Sequence, residues 1–432
     1  MPKTIVIESK HIARIEGHGN VVLNAKDGKI EKIQWQVPEA PRFFEAMVVG
    51  RDYFEIARIV SRICGICSIS HSLASLKATE SAMGIQVSDQ VKNLRNLAKH
   101  SEMIQSHILH AGYLVAPDLF RVGSVLPLVS SHTDAVVKII GIHRMANEMS
   151  DWMCGRTTHP ISFVVGGFSR LPVAKELINF RNRLQASIDT VLEIVDLVYS
   201  VRAGLPNFNR ETEYIALTAD NLYDPYDAFI GSTDTGRHKL EDYLSITNEY
   251  VVPQSTAKFT KHKRDSYMVG AMARFNLNHK KLSPLAQKVA EKFGLNPPLI
   301  NPFLNTVVQL AELANSIEES IGIIDGLLKN GIKEEKTDIK VRAGRGVGTV
   351  EAPRGILFHD YTIDKNGKCV KANCIIPTNQ NHANIQKDME AFAPTLLQKP
   401  ESEIKLNLEM LVRAYDPCVS CSTHYLKIKI NK

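Results

Sequence analysis

The chain has 432 residues, 44% of them hydrophobic and 23% charged, a balance that suits a large buried core and excludes both a disordered chain and a small disulfide-stapled domain. Its formal charge of +6 arises from 52 basic and 46 acidic side chains spread along the whole length, so the excess does not point to nucleic acid. Seven cysteines, an odd number, argue against a disulfide framework and for metal or redox chemistry.

The opening "MPKTIVIESKHIARIEGHGN" has neither a secretory nor a transit pattern, and no segment reaches the ~18 apolar residues of a membrane span, so the chain is expected to be soluble and cytoplasmic. From Thr4 to Val37 the pattern alternates, with an Asp-Gly turn in "AKDGKIEKIQWQV", which predicts a small N-terminal sheet over 3–37. From 43 to 84 and from 91 to about 150 apolar residues recur at three and four, as in packed helices, and another helix is predicted from Val173 to Val201. A Tyr-, Asp- and Gly-rich stretch to about Gly236 is expected to be irregular. The densest basic run, "KFTKHKRD" at 258–265, reads as a solvated loop. Helices return at 284–293 and 301–330, ending a helical core over 43–330. Short strands follow over 338–376 with "DKNGK" as a hairpin turn. A last helix is stopped by Pro417 and opens a C-terminal unit over 400–424. Repeats, low-complexity tracts and linkers are absent, so the whole of 1–432 is expected to be one α+β unit, predominantly helical, with a central long-helix bundle and small peripheral antiparallel sheets.

Two short stretches carry the chemistry. "RICGICSISH" (62–71) holds Cys64 and Cys67, and "DPCVSCSTH" (416–424) holds Cys418 and Cys421; each pair is C-x-x-C followed by a histidine. Positions i and i+3 share a face of a helical turn, where backbone amides also favour thiolates. Thiolates are soft ligands suited to zinc or iron–sulfur centres, and four converging ones read first as zinc. Against a structural zinc stand the separation of the pairs, about 350 residues, where ribbons and fingers use a few dozen, and the company of Arg62, His71, Asp416 and His424, which suits a working centre.

Both stretches resemble the signature motifs of the large subunit of nickel–iron (NiFe) hydrogenases, R-x-C-G-x-C-x-x-x-H and D-P-C-x-x-C-x-x-H. The resemblance continues in order through "ARIEGHGN" (13–20), "PRFFEAMVVGR" (41–51), "AKFTKHKRDSYMVGAMAR" (257–274), "VEAPRGILFHD" (350–360) and "IPTNQNHAN" (376–384). It implies the hydrogenase large-subunit fold and a catalytic subunit that cleaves H2 heterolytically and reversibly, most similar to the compact cytoplasmic group whose complexes reduce NAD(P), deazaflavin, ferredoxin or sulfur compounds. It implies a nickel held by Cys64, Cys67, Cys418 and Cys421, with Cys67 and Cys421 bridging to an iron that carries CO and cyanide, and a magnesium ion on Glu45 and His424. By the same resemblance Glu16 takes the proton from Cys418, Arg354 overhangs the open metal position with Asp416 orienting it, His71 bonds a bridging thiolate, and Pro353 and Thr378 line the pocket of the diatomic ligands.

Read without that family, Glu16 is a surface carboxylate paired with Arg14. Some members carry an aspartate where this chain has Ser106, which removes one carboxylate partner from Arg354. His107 and His110 are expected to be buried core histidines, and Cys154, Cys369 and Cys374 small apolar residues. No spare four-cysteine set remains, so electrons are expected to leave through an iron–sulfur small subunit, followed by further flavin or iron–sulfur subunits. Nickel chaperones and a maturation protease acting on the tail 425–432, "YLKIKINK", complete the implied partners; neither nucleic acid nor a membrane is among them. The rival readings are a structural-zinc scaffold, a hydrogen-sensing homologue and a complex I-like quinone-reductase subunit, whose branch lacks the four cysteines.

Overall fold

The computed structural model describes residues 4–335 and 337–423; His424 and the tail 425–432 lie outside the described residues. Strands β1 (Thr4–Ser9), β2 (Asn20–Lys26) and β3 (Lys29–Gln36) form an antiparallel sheet, β2 turning into β3 at Asp27 and Gly28. Helices α1 (Phe44–Val48) and α2 (Ile56–Val60) lead to α3 (Ser68–Met83). Helix α4 (Asp89–Leu109) runs through a π-helical stretch at His110–Val115 into α5 (Ala116–Leu119), followed by α6 (Leu126–Ser131) and α7 (Thr133–Cys154). A small hairpin, β4 (Phe163–Val164) and β5 (Gly167–Phe168), precedes α8 (Ala174–Ser200).

The stretch expected to be irregular contains β6 (Glu213–Thr218) and β7 (Phe229–Ser232), and β8 (Gly236–His238) adds to β7. After α9 (Tyr243–Thr247), β9 (Tyr267–Met268) pairs parallel to β6. The signal was missed because β6, "EYIALT", is buried on both faces and so does not alternate. Then come α10 (Ala271–Asn278), α11 (Pro284–Lys292), α12 (Asn305–Asn330), an antiparallel sheet of β10 (Gly344–Ala352), β11 (Gly355–Ile363) and β12 (Cys369–Ile375), α13 (Pro377–Phe392) and α14 (Glu401–Ala414). The helical core over 43–330 is thus interrupted by two small sheets. The basic run 258–265 is also no free loop: Phe259 and Thr260 are buried, and Lys258 pairs with Glu249 at 2.6 Å.

Helices α4, α7, α8 and α12 pack together as the central bundle. The second half of α4 and the first half of α12 are buried on every side, as helices at the centre of a large core must be. Across this seam His107 meets Glu312, and His110, just after α4, meets Gln309 in the interior, where Ser106 is also buried. Helix α3 lies on β10 at very close range: a Cβ on Gly344, Gly346 or Gly348, which alternate along one strand face, would run into the backbone of Ala74, Ala78 or Ala82, which repeat every four residues. The first cysteine motif opens α3 and the second follows α14, which ends at Tyr415 before Asp416, in the left-handed region at φ 50°, and Pro417. Among the described residues no helix is long and apolar enough to cross a membrane.

Candidate metal centre

Two loops meet, and each brings one cysteine pair. Cys64 is extended and Cys67 is the residue before α3, while Cys418 lies in a parallel bridge to Glu16 and Cys421 in a short 3-10 turn, so neither pair sits on a regular helix as the i, i+3 argument expected. The four Sγ atoms lie within 4.8 Å of one another and all are buried. Cys64 Sγ is 3.6 Å from Cys418 Sγ, and Cys418 Sγ 2.6 Å from Cys421 Sγ. The first loop wraps its own sulfur: the amides of Ile66 and Cys67 donate to Cys64 Sγ at 3.3 and 3.0 Å.

An N-terminal segment is stitched to the second cysteine loop here. Val419 N donates to Glu16 O at 2.9 Å, and the Glu16 carboxylate accepts from Ser420 N at 3.1 Å and from the Ser420 hydroxyl. Gly17, at φ 82°, passes so close that a Cβ would meet Ser420 N at 2.7 Å and Val419 Cβ at 2.9 Å, an approach only glycine permits. Glu16 is not paired with Arg14, as its residues alone suggested; Arg14 reaches Asp118 at 2.6 Å, which Arg413 also holds at 2.7 Å. Arg62 is exposed.

Arg354 is buried over the cluster. Its Nε donates to Asp416 O at 2.6 Å, Nη2 to Asp416 Oδ1 at 2.7 Å and Nη1 to Ser106 Oγ at 3.3 Å, so the position where some members carry aspartate still meets the guanidinium, through a hydroxyl. Burial opposes its charge, but Asp416 and the nearby thiols raise its pKa above the ordinary value. Asp416 also accepts from Gln309 Nε2 at 3.1 Å, and His110 lies between Gln309 Oε1 (2.5 Å) and Arg413 O (2.8 Å). His107 bonds Glu312 at 2.8 Å, and Glu312 pairs with Arg274.

Thr378 Oγ1 accepts from Cys418 N at 3.0 Å. Pro353 is buried, and its carbonyl accepts from Arg274 Nη2 at 2.9 Å. His71 Nδ1 faces His359 Nε2 at 3.1 Å. Glu45, 4% exposed, accepts from Cys374 N at 2.7 Å; three residues earlier, Arg42 N donates to Thr423 O at 2.8 Å, which brings the end of the second motif beside α1. Cys154, Cys369 and Cys374 are buried and stand outside the four-sulfur cluster.

Two residues were missed in the sequence. The Arg42 guanidinium bonds both Ile63 O, at 2.7 Å, and Ser420 O, clamping the two loops together; its place in "PRFFEAMVVGR" was the available signal. Glu102 on α4 accepts from Ile69 N at 2.7 Å and Ser70 N at 3.1 Å, capping α3 from another helix, and burial pushes its pKa up to about 8. A cap supplied across a helix pair leaves no local pattern.

Four sulfurs around one metal, each at about 2.3 Å, stand roughly 3.5–4 Å apart; the 3.6 Å between Cys64 and Cys418 matches that spacing, whereas Cys418 and Cys421 at 2.6 Å stand closer than two sulfurs bound to one metal would. Burial holds Cys418 and Cys421 well above the ordinary thiol pKa, whereas at Cys64 hydrogen bonds from Cys418, Cys421 and Cys67 outweigh the same burial and hold it well below. A soft divalent metal bound among them would displace the thiol protons. Four buried sulfurs that converge beneath a buried arginine form a site able to hold a soft metal ion.

The comparisons with known proteins identify the family. The family model of nickel-dependent hydrogenases matches residues 42–150 and 254–424, and the chain belongs to that family, as a NiFe hydrogenase large subunit, an oxidoreductase. It is 32% identical to the alpha subunit of sulfhydrogenase 2 of Pyrococcus furiosus, over 98% of this chain and 100% of that one. It is 29% identical to the beta subunit of the NAD-reducing hydrogenase HoxS of Cupriavidus necator, over 99% and 96%. Among solved structures, an NAD+-reducing NiFe hydrogenase in its H2-reduced state superposes with a TM-score of 0.86 at 26% identity, covering 98% of this chain and 99% of that one. The Ni-Fe-Se hydrogenase of D. vulgaris Hildenborough shares the fold with a TM-score of 0.76.

Proposed function

We propose that Cys64, Cys67, Cys418 and Cys421 hold the nickel, that Cys67 and Cys421 share it with an iron carrying CO and cyanide, and that this chain performs reversible H2 cleavage within a cytoplasmic complex. The observation that carries this reading is the convergence of four buried sulfurs under Arg354. When bound, the nickel–iron centre supplies the polarisation that splits H2 into a hydride and a proton. Arg354, locked by Asp416 and Ser106, holds a fixed positive charge over the open side of the cluster in a dry pocket, where it orients the substrate. Glu16, tied by its backbone to the residue after Cys418, accepts the proton from Cys418 Sγ and starts its way to the surface. Pro353 and Thr378 would line the pocket for the iron's small ligands, and the Thr378 hydroxyl accepts from the Cys418 amide.

Glu45 and His424 bind magnesium in this reading. Its support is a buried carboxylate oxygen, a hard donor, beside the point where Thr423 meets Arg42. Electrons leave through an iron–sulfur small subunit that docks beside the centre, where Glu16 is half-buried, Gly65 is exposed, and Phe43, Met47, Val49 and Phe54 of the α1–α2 region are 48–59% exposed. Flavin or iron–sulfur subunits follow it. Nickel chaperones and a protease that trims 425–432 act before assembly.

Elemental mass spectrometry on the purified complex tests the centre: about one nickel per chain is expected in the wild type and none in Cys421→Ser. Zinc in place of nickel would return the cysteines to a structural role, and a nickel-loaded, active Cys421→Ser variant would remove Cys421 from the ligand set.

A further inference from the structure

Arg354 stands in the turn between β10 and β11, where Ala352 pairs with Gly355 and Pro353 and Arg354 form the tip. A second arginine grips the backbone of that turn. Arg274 of α10 is 0% exposed and donates from Nη1 to Ala352 O and from Nη2 to Pro353 O, both at 2.9 Å. Its Nε and Nη2 reach the two oxygens of Glu312 at 2.6 Å each, and its Nη1 reaches Glu351 Oε2 at 2.8 Å. A guanidinium has five N–H groups, and these five bonds use all of them. Gly270, the residue before α10, lies so close to the turn that a Cβ would meet Arg354 O at 3.0 Å. Glu312 also bonds His107, which follows Ser106 on α4, and the Ser106 hydroxyl accepts from the Arg354 guanidinium.

We infer that Arg274 is a positioning residue for Arg354, fixing the turn from which Arg354 reaches over the four sulfurs. The far end of the Arg354 side chain is set by Asp416 and Ser106. Its near end is set by the path of the backbone through residues 352–354. The Ala352 and Pro353 carbonyls belong to the two peptide planes that lead into Arg354, and a flat fork bonded to both fixes their tilt. The fork cannot turn, because Glu312 holds it through two parallel bonds. An ion pair made only for stability needs Glu312 and Glu351 but has no use for the two carbonyls. A lysine would keep the charge and lose the fork, since an ammonium has three donors and no plane. A displacement of about 1 Å in a group that orients a substrate costs up to about 10²-fold in rate. The inference rests on the reading of Arg354 as the fixed charge over the open side of the centre.

The test is a double-mutant cycle on the purified complex. Nickel per chain, the rate of H2 oxidation and the nickel midpoint potential, titrated by electron paramagnetic resonance, are read in every sample. At wild-type nickel content Arg274→Lys is expected to slow turnover by about 10–10²-fold. It is also expected to shift the midpoint to lower potential, because a positive charge held over a metal favours the reduced form. In an Arg354→Met background, where no charge is left to position, the same substitution is expected to change the rate by less than about twofold and to leave the midpoint where Arg354→Met alone puts it. A nickel-loaded Arg274→Lys complex with the wild-type rate and midpoint overturns the inference. So does an equal loss in both backgrounds, which is what a purely structural arginine gives. Should Arg274→Lys fail to fold, Arg274→Gln with Glu312→Gln, which removes a charge pair together, decides by the same two criteria. An Arg354→Met complex with the wild-type rate and midpoint would overturn the reading of Arg354 instead, and a wild-type complex without nickel that of the cysteines.

Discussion

At the scale of single residues, the centre depends on side chains whose partners lie far away in sequence. Glu16 is the sharpest case. Its carboxylate accepts two hydrogen bonds from Ser420, and glutamine retains an acceptor oxygen, so Glu16→Gln is expected to keep nickel bound while turnover falls by about 10²–10⁴-fold, the usual worth of a positioned base. Unchanged H2 oxidation at full nickel content would take Glu16 off the proton path. His382 is a second residue whose burial has consequences. Trp35 Nε1 donates to its Nδ1 at 2.9 Å, its Nε2 lies 2.9 Å from Ser422 Oγ, and burial lowers its pKa from 6.5 to about 3. Between those values the unfolded chain binds a proton that the folded chain refuses. Stability from this group is therefore complete above pH 6.5 and lost as pH falls toward 3. His382→Gln is expected to be less stable at pH 7, yet to lose about 2 kcal/mol less than the wild type between pH 7 and pH 5. Urea unfolding at the two pH values measures this, and an identical loss in both proteins would show that His382 does not carry the acid sensitivity.

At the scale of elements, the packing of α3 on β10 sets where the first cysteine loop lies, because Cys67 is the residue before α3. The contact has no room for a side chain at Gly346, where a Cβ would fall on Ala82 N and Ala78 O. Gly346→Ala is expected to cost about 1–3 kcal/mol by overpacking, read as a lower denaturation midpoint with the denaturant slope unchanged. Equal stability would mean that α3 moves away freely, and the loop with it. The longer helices α3, α4, α7, α8, α11, α12 and α14 and the β10–β12 sheet were legible in the chain because their apolar spacing and their Gly and Pro punctuation are local, whereas α9 and α10 were not predicted. Helix α13 was not legible either, since "PTNQNHANIQKD" is mostly polar and buried Asn and His side chains in it meet distant partners, such as Val269 N bonding Asn381 and Ser422 meeting His382.

At the scale of the whole molecule, the segment around Glu16 meets the second cysteine loop at Val419 and Ser420, and the α1–α2 region nearby leaves Met47 and Phe54 at 50% and 59% exposure. If that face takes the small subunit, Met47→Glu with Phe54→Glu is expected to reduce its co-purification at least tenfold, the effect of burying two unpaired charges in an interface. The folding of this chain, read by circular dichroism, is expected to be unchanged. Recovery of the complex at wild-type yield would move the docking face elsewhere.

The amino-acid sequence by itself determined the class of the centre. Two C-x-x-C pairs in one chain without other metal motifs already limit the chemistry to soft-ligand metals, since ligand softness belongs to the residue type and needs no fold. It also set most of the long helices, whose apolar period is local. Only the tertiary structure decided that Arg42 clamps both loops, that Ser106 meets Arg354, that Arg14 goes to Asp118 rather than Glu16, and that His359 stands behind His71. Each of those pairings joins residues 21 to 378 positions apart. Hydrogen bonds at such separations follow from how helices and sheets pack, and packing is a property of the folded whole that no local pattern carries.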